Sequence, residues 1–342
     1  MQRKDKTTNS RYPIQGTGCK YGYIPYFCNM NKHGHAPRQF DSLSEAMKAA
    51  GFSAPQHPLI ALVNGVDHPI AGVPPQHRHV LNFYKISFRP HLGGTLRYGQ
   101  TYFDFSEGGL FFAAPHQIVG NNEQVGDRMA ENHCINQQIT LLMHPDFLLN
   151  YPLAKTIKRY HYFSYSINEA LHLSDKEKEI ILSIFRNMED ELNSCIDDIS
   201  HDVIISQIEL LLNYAQRFYK RQFITRRPIN DTVLQNLDAL LDEYFDGQTS
   251  LTHGIPTVQS LADRLNFSPS YLSDMLRSLT GQSTQQHIHN KLIEKAKEKL
   301  STTGLSVSEI AYALGFEHPQ SFSKFFRNKT NQSPMAFRES FN

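Results

Sequence analysis

The sequence predicts an α+β chain: an N-terminal antiparallel β-barrel, a helical connector, and a C-terminal all-α domain of two helix-turn-helix units joined by a long helix. Three observations predict it. One apolar pattern occurs twice in the last third of the chain, short apolar runs punctuated by glycine pairs fill residues 57–143, and two long amphipathic stripes lie between. A chain of 342 residues exceeds one small core and suits two domains.

The repeat carries most of the information. Val258, Leu261, Ala262, Leu265 and Phe267 match Val307, Ile310, Ala311, Leu314 and Phe316 at a constant offset of 49 positions. One residue is then gained, so Leu272, Ser273, Met275, Leu276, Arg277 and Thr280 match Phe322, Ser323, Phe325, Phe326, Arg327 and Thr330. Within a copy, apolar residues at i, i+3, i+4 and i+7 make one stripe of a short helix. Asn266 and Gly315 follow, both tolerant of the left-handed backbone that ends a helix. A second helix starts at Ser268-Pro269 in the first copy, an N-cap followed by a proline suited to the first turn.

One copy alone would serve equally as a hairpin in a helical bundle. Two copies separated by Gln285–Leu300 are different, because a helix of that length spans roughly 25 Å at about 1.5 Å per residue. It can hold two recognition helices near the one-turn repeat of duplex DNA, about 34 Å. Lys291, Lys295, Arg327 and Lys329 are the expected phosphate contacts. A protein partner for the helical units is disfavoured, because no acid lies between His318 and Phe337.

The run Val307-Ser308-Glu309-Ile310-Ala311, then Gly315-Phe316, Phe322-Ser323-Lys324-Phe325-Phe326-Arg327, Ser333-Pro334 and Phe337-Arg338, resembles the signature of the AraC/XylS family of bacterial transcription regulators. The resemblance covers about the last hundred residues. It implies a DNA-binding domain whose base-reading positions fall on Ser270, Ser273 and Asp274 in the first unit. In the second they fall on Pro319, Gln320, Ser323 and Lys324. It also implies RNA polymerase as a partner and an activator's role. Two positions depart from the pattern. Asn331 stands where glycine is usual, and Asp274 places a carboxylate where phosphates would repel it unless it accepts from a cytosine amino group.

Composition bounds the rest. The net charge of +1 excludes a polyelectrolyte binder, so attraction to DNA must come from local clusters. Four cysteines give no disulfide framework, no apolar run reaches about 18 residues, and no signal-peptide layout opens the chain. A cytoplasmic protein that does not enter membranes is expected. Residues 1–37 are expected to be a flexible extension, and Met30 is an alternative start. Cys19 and Cys28 with His33 and His35 match no common zinc spacing.

Residues 38–144 are expected to form the barrel, opening with a helix over Phe40–Gly51. Strands are predicted at Leu59–Val63, Val80–Ser87, Thr95–Tyr98, Thr101–Phe105, Leu110–Ala114 and Asn136–Met143. Thr95–Tyr102 with Glu107-Gly108-Gly109-Leu110 and Pro115-His116 resembles the cupin-like barrel that many AraC-family members carry, which implies a sensor for a small-molecule effector. Phe83, Arg97, Tyr98, Tyr102 and Phe112 are its candidate lining. The competing class is a metal-dependent cupin-type enzyme holding its ion on His77, His79 and His116. There Lys85 falls near where an acidic ligand belongs, and protonated lysine cannot ligate. No nucleophilic triad or phosphate-cradling loop stands out, so neither catalytic activity nor a cofactor is expected.

Residues 145–227 are expected to form a helical connector. Ser174-Asp175-Lys176-Glu177 reads as a capping box for a helix bearing Ile180, Ile181, Ile184, Phe185, Met188 and Leu192. A second stripe joins Ile204, Ile208, Leu211, Ala215 and Phe218, and one of these two helices is the candidate homodimer element. Pro228 is expected to break the helix and open the DNA-binding domain, residues 228–342, whose first helix spans Asp231–Phe245.

Overall fold

Short strands form where β-branched and aromatic residues alternate, because such side chains suit a pleated, half-buried surface. A computed structural model describes residues 38–67, 79–89, 95–98, 101–104, 108–119, 138–166, 169–194, 199–225, 227–247 and 249–341. Its strands are β1 (Arg38–Phe40), β2 (Ile60–Asn64), β3 (His79–Leu81), β4 (Tyr84–Arg89), β5 (Thr95–Tyr98), β6 (Thr101–Asp104), β7 (Gly109–Ala113), β8 (Ile118–Val119), β9 (Ile139–Met143) and β10 (Leu171–His172).

Five of them make one antiparallel sheet in the order β10-β7-β4-β9-β2. A second sheet runs β1-β3-β8, with β1 and β3 parallel, and β5 pairs with β6 as a hairpin. No closed barrel forms among the described residues, which corrects the cupin-like expectation. The physical reason lies on the sheet face bearing Tyr84, Ile86, Phe88, Leu110 and Phe112, which helical segments cover. Tyr84 meets Phe163 edge-on at 5.1 Å, and Phe112 lies 4.4 Å from Tyr162 and 5.4 Å from Phe163.

The expected continuous strand Val80–Ser87 is in fact split between two sheets. At the break the Asn82 N–H donates to the Phe40 carbonyl at 3.1 Å, and Phe83 drops into a small second core with Phe40, Leu43, Met47, Leu81 and Leu142. Helix α1 (Leu43–Ala49) closes that core, capped by Ser42, whose Oγ accepts from the Glu45 N–H. Strands β1, β8 and β10 lie outside the predicted ones, since two or three residues are too short to show a period.

The chain then turns helical through α2 (Leu153–Thr156) and a short 3₁₀ turn at His161–Ser164. Helix α3 (Asp175–Asn193) has the predicted capping box, with the Ser174 N–H donating to Glu177 Oε2 at 2.9 Å, and buries Ile181, Ile184, Phe185, Met188 and Leu192. Helix α4 (Ser200–Thr225) buries the second predicted stripe against it. Arg221 of α4 bridges back to Glu177 at 2.7 Å. Helix α5 (Arg227–Asp246) starts earlier than expected, with Pro228 inside its first turn, where the missing N–H is no loss. The remaining helices are α6 (Thr249–His253), α7 (Val258–Leu265), α8 (Pro269–Thr280), α9 (Thr284–Thr302), α10 (Val307–Ala313), α11 (Pro319–Thr330) and α12 (Pro334–Glu339). No helix among the described residues is long and apolar enough to cross a membrane.

Candidate nucleic-acid interface

Each copy of the repeat folds as a helix, a tight turn and a second helix, with matching chemistry at each step. Thr257 caps α7 by accepting from the Ser260 N–H at 3.1 Å, and Ser306 caps α10 by accepting from Glu309 at 3.2 Å. The turns then pass through a left-handed residue, Asn266 at φ 59° or Gly315 at φ 87°. After them the Phe267 N–H reaches the Ala262 carbonyl at 2.9 Å, and the Phe316 N–H reaches Ala311 at 3.0 Å. Glycine is required only in the second copy. A Cβ on Gly315 would sit 2.5 Å from the carbonyl carbon of Gly254, which is backbone and cannot give way.

The second helices, α8 and α11, end alike. Gly281 and Asn331 both adopt positive φ, and their N–H groups return to the carbonyls of Arg277 and Arg327 at 3.0 and 2.8 Å. Asn331 therefore fills the glycine position without disturbing the cap. Leu272, Met275 and Leu276 are buried under α8, while Phe322 and Phe326 are buried under α11 with Phe316 5.4 Å from Phe322.

Helix α9 joins the units over 19 residues, about 28 Å at roughly 1.5 Å per residue. Two of its lysines sit elsewhere than expected. Lys295 Nζ lies 2.7 Å from Asp246 and 3.0 Å from Asp242, with only 9% of its side chain exposed, and Lys291 lies 2.9 Å from Asp242. Burial opposes the Lys295 charge, but Asp246 and Asp242 outweigh it, so its pKa is raised. The hydrogen bond from Lys291, with Lys295 beside it, holds Asp242 below the usual carboxylate range. Both lysines thus tie α9 to α5. The signal for this pairing is a set of acids at i,i+4, Asp242 and Asp246, facing lysines at i,i+4, Lys291 and Lys295.

The second unit keeps its outward face open. Gln320, Lys324, Arg327 and Lys329 are exposed and Pro319 and Ser323 are half-buried, along one side and the end of α11. In the first unit Ser270, Ser273 and Asp274 are all partly covered. The Ser273 hydroxyl is 3.0 Å from that of buried Thr284. Asp274 is engaged by the connector: Tyr165 Oη donates to it at 2.8 Å, and His161 Nδ1 lies 3.0 and 3.1 Å from its two oxygens. The sequence offered no period linking residues so far apart, although an acid on a DNA-facing helix already asked for a partner.

Comparison with known proteins meets this geometry. A family model described as a helix-turn-helix domain matches residues 261–340. The regulatory protein SoxS of Escherichia coli K12 is 28% identical over 106 residues, 31% of this chain and 92% of SoxS. The C-terminal domain of the two-component response regulator yesN from Fusobacterium nucleatum is 30% identical, covering 30% of this chain and 98% of that one, with a TM-score of 0.26. Residues 261–340 are an AraC-type helix-turn-helix domain. YfiF of Bacillus subtilis, described as an uncharacterized HTH-type transcriptional regulator, is 29% identical over 143 residues; the chain spans 42% of its length. The chain likewise spans 34% and 30% of the next two relatives, YobQ of the same organism and the Msm operon regulatory protein of Streptococcus mutans.

The part preceding the AraC-type domain holds the other candidates. Phe83 is fully buried in the second core and Phe112 is buried under the connector. Arg97, Tyr98 and Tyr102 lie on β5 and β6, and their side chains are outside the described residues. Of the proposed metal set, His77 lies outside the described residues, as do Cys19, Cys28, His33 and His35. His79 packs edge-on against Phe40 at 5.9 Å, and the His116 N–H donates to Leu81 at 2.7 Å from a turn of positive φ. Burial, helped by Arg89, lowers the Lys85 pKa to about 8, so it stays largely cationic at neutral pH.

Proposed function

We propose that the chain is a sequence-specific DNA-binding transcription regulator, controlled by a small-molecule effector and acting as a homodimer. The observation that carries the reading is the open face of α11, where Gln320 and Lys324 project beside Arg327 and Lys329 with no acid among them. Gln pairs best with adenine and Lys with guanine in a major groove, and the neighbouring cations hold the phosphates. Matches to a transcriptional activator, RhaS of Salmonella schwarzengrund, 31% identical over 110 residues, and to SoxS support it. So does a likeness in sequence, 28% identical over 31% of this chain, to the DNA-binding domain of AdpA, described as bound to a target DNA. RNA polymerase follows as a partner from the family.

The division of labour is residues 38–144 for sensing, 145–227 for connection and pairing, and 228–342 for DNA. Val203 and Leu210 are exposed on α4 one heptad apart, with half-buried Tyr214 four residues on, and they mark its side as the pairing surface. Sedimentation as a monomer at micromolar concentration would remove the dimer. For DNA, duplexes selected from a random pool by the full chain should share a motif that Lys324→Ala no longer prefers, with affinity falling steeply as salt rises. Unchanged preference in that variant would overturn the assignment of α11 as a reading helix.

A further inference from the structure

Asp274 is the one acid on either candidate reading face, and the chain has built a receptor for it. The turn at His161–Ser164 packs against α8, so that His161 and Tyr165 hold both carboxylate oxygens at 2.8–3.1 Å, while Arg277 adds a longer contact at 3.4 Å. The start of the same helix is held as well. Glu169, 3% exposed, accepts from the Ser268 N–H at 2.6 Å and from its hydroxyl at 2.5 Å. Between these anchors Tyr271 meets Tyr165 and Phe223 edge-on, each at 5.1 Å. Only a shallow groove lined by His161, Pro269, Ser270, Ser273 and Asp274 is left along the outer face.

A major groove about 12 Å wide admits one helix of about 10–12 Å diameter. It does not admit a helix that carries a second segment of chain on its outward side. We propose that His161, Tyr165 and Glu169 latch the first recognition helix in a state that cannot enter DNA. The chain then reads through its second unit alone until the connector lets go. Asp274 suits that role because one charge acts twice: phosphates repel it from the groove, and the connector's hydrogen-bond donors hold it away. The inference rests on the proposed DNA-reading function and assigns its regulation.

The test uses the full chain and His161→Ala/Tyr165→Phe, which changes no residue of α8 and leaves the edge-on ring contacts of Tyr165 in place. Tyr165→Phe alone is the milder second variant. Amide hydrogen exchange without DNA should be faster across α8 in the variants than in the wild type, and unchanged elsewhere. Selection from random duplexes should give the wild type a single short motif. The double variant should recover a split motif with a second part about one helical turn away. On that motif it should bind about tenfold or more tighter than the wild type, as expected for loss of hydrogen bonds to a charged group. A split motif from the wild type overturns the latch while leaving the regulator intact. So does exchange unchanged in both variants, or an undocked α8 that still yields the single motif. No shared motif from either protein would instead overturn the DNA-reading function, and the latch with it.

Discussion

The first helix-turn-helix unit carries Asp274 where the second carries Lys324, and the two side chains meet opposite surroundings. Asp274 is 20% exposed, between His161 and Tyr165, whereas Lys324 faces solvent. The backbones scarcely differ: capped first helices, left-handed turns and the same return hydrogen bonds recur, although Ser268 caps α8 with its side chain and His318 does not so cap α11. Apolar spacing and capping fix the shape of a unit, and its outward residues decide what covers it. A duplicated fold is therefore no guarantee of a duplicated role, and charge on one face is enough to separate the two.

Substitutions in either unit and in the helices between them would break or sharpen this contrast. The largest effect is expected from Phe322→Ala, which empties the fully buried centre of the second unit and should cost about 3–5 kcal/mol, read by denaturant unfolding. Leu272→Ala at the matching place removes fewer atoms and should cost less; the reverse order would mean that the connector contributes little to the first unit. Next comes Lys324→Ala, expected to lose about 1–3 kcal/mol of discrimination at one base pair. Ser270→Ala should leave the selected motif as it is, and a change there would show the first unit already reading. Arg327→Ala should weaken binding to all duplexes alike and lower the slope of affinity against salt by about one, while Lys295→Ala leaves that slope unchanged. A reduced slope in Lys295→Ala would place α9 against DNA after all.

The smallest effect is one of pH. Asp242 has a lowered pKa in the folded chain, so its pairing with Lys291 and Lys295 adds stability that is present above the unfolded value, about 4, and is lost as the pH falls through the folded one. Its side chain is 42% exposed, so solvent screening holds the gain to about 1 kcal/mol or less. Thermal melts of wild type and Asp242→Asn should converge as acid is added; parallel curves would show that the pairing carries no stability.

The legible parts of the sequence were those governed by neighbours in the chain. The repeat, the capping box at Ser174 and the stripes of α3 and α4 follow from spacing within one or two helical turns, and each formed. Contacts across a long separation were not legible. Tyr165 and Asp274 are 109 residues apart, and no periodicity announces that they meet. The strands showed the same limit: alternation located most of them, but it does not say which edges pair, and among the described residues the sheets do not close into the expected barrel. The pairing of Lys295 with Asp246 was not legible either, because a lysine on a basic helix looks the same in sequence whatever it faces.

The contact between Gly315 and Gly254 makes the two halves of the repeat impossible to exchange. The first unit keeps asparagine at its turn, with a side chain, and the second has backbone where that side chain would go. A recombination that copied the first unit over the second would import Asn266 into a space already filled. The second copy is therefore protected from being overwritten by the first, and the two can diverge in what they bind.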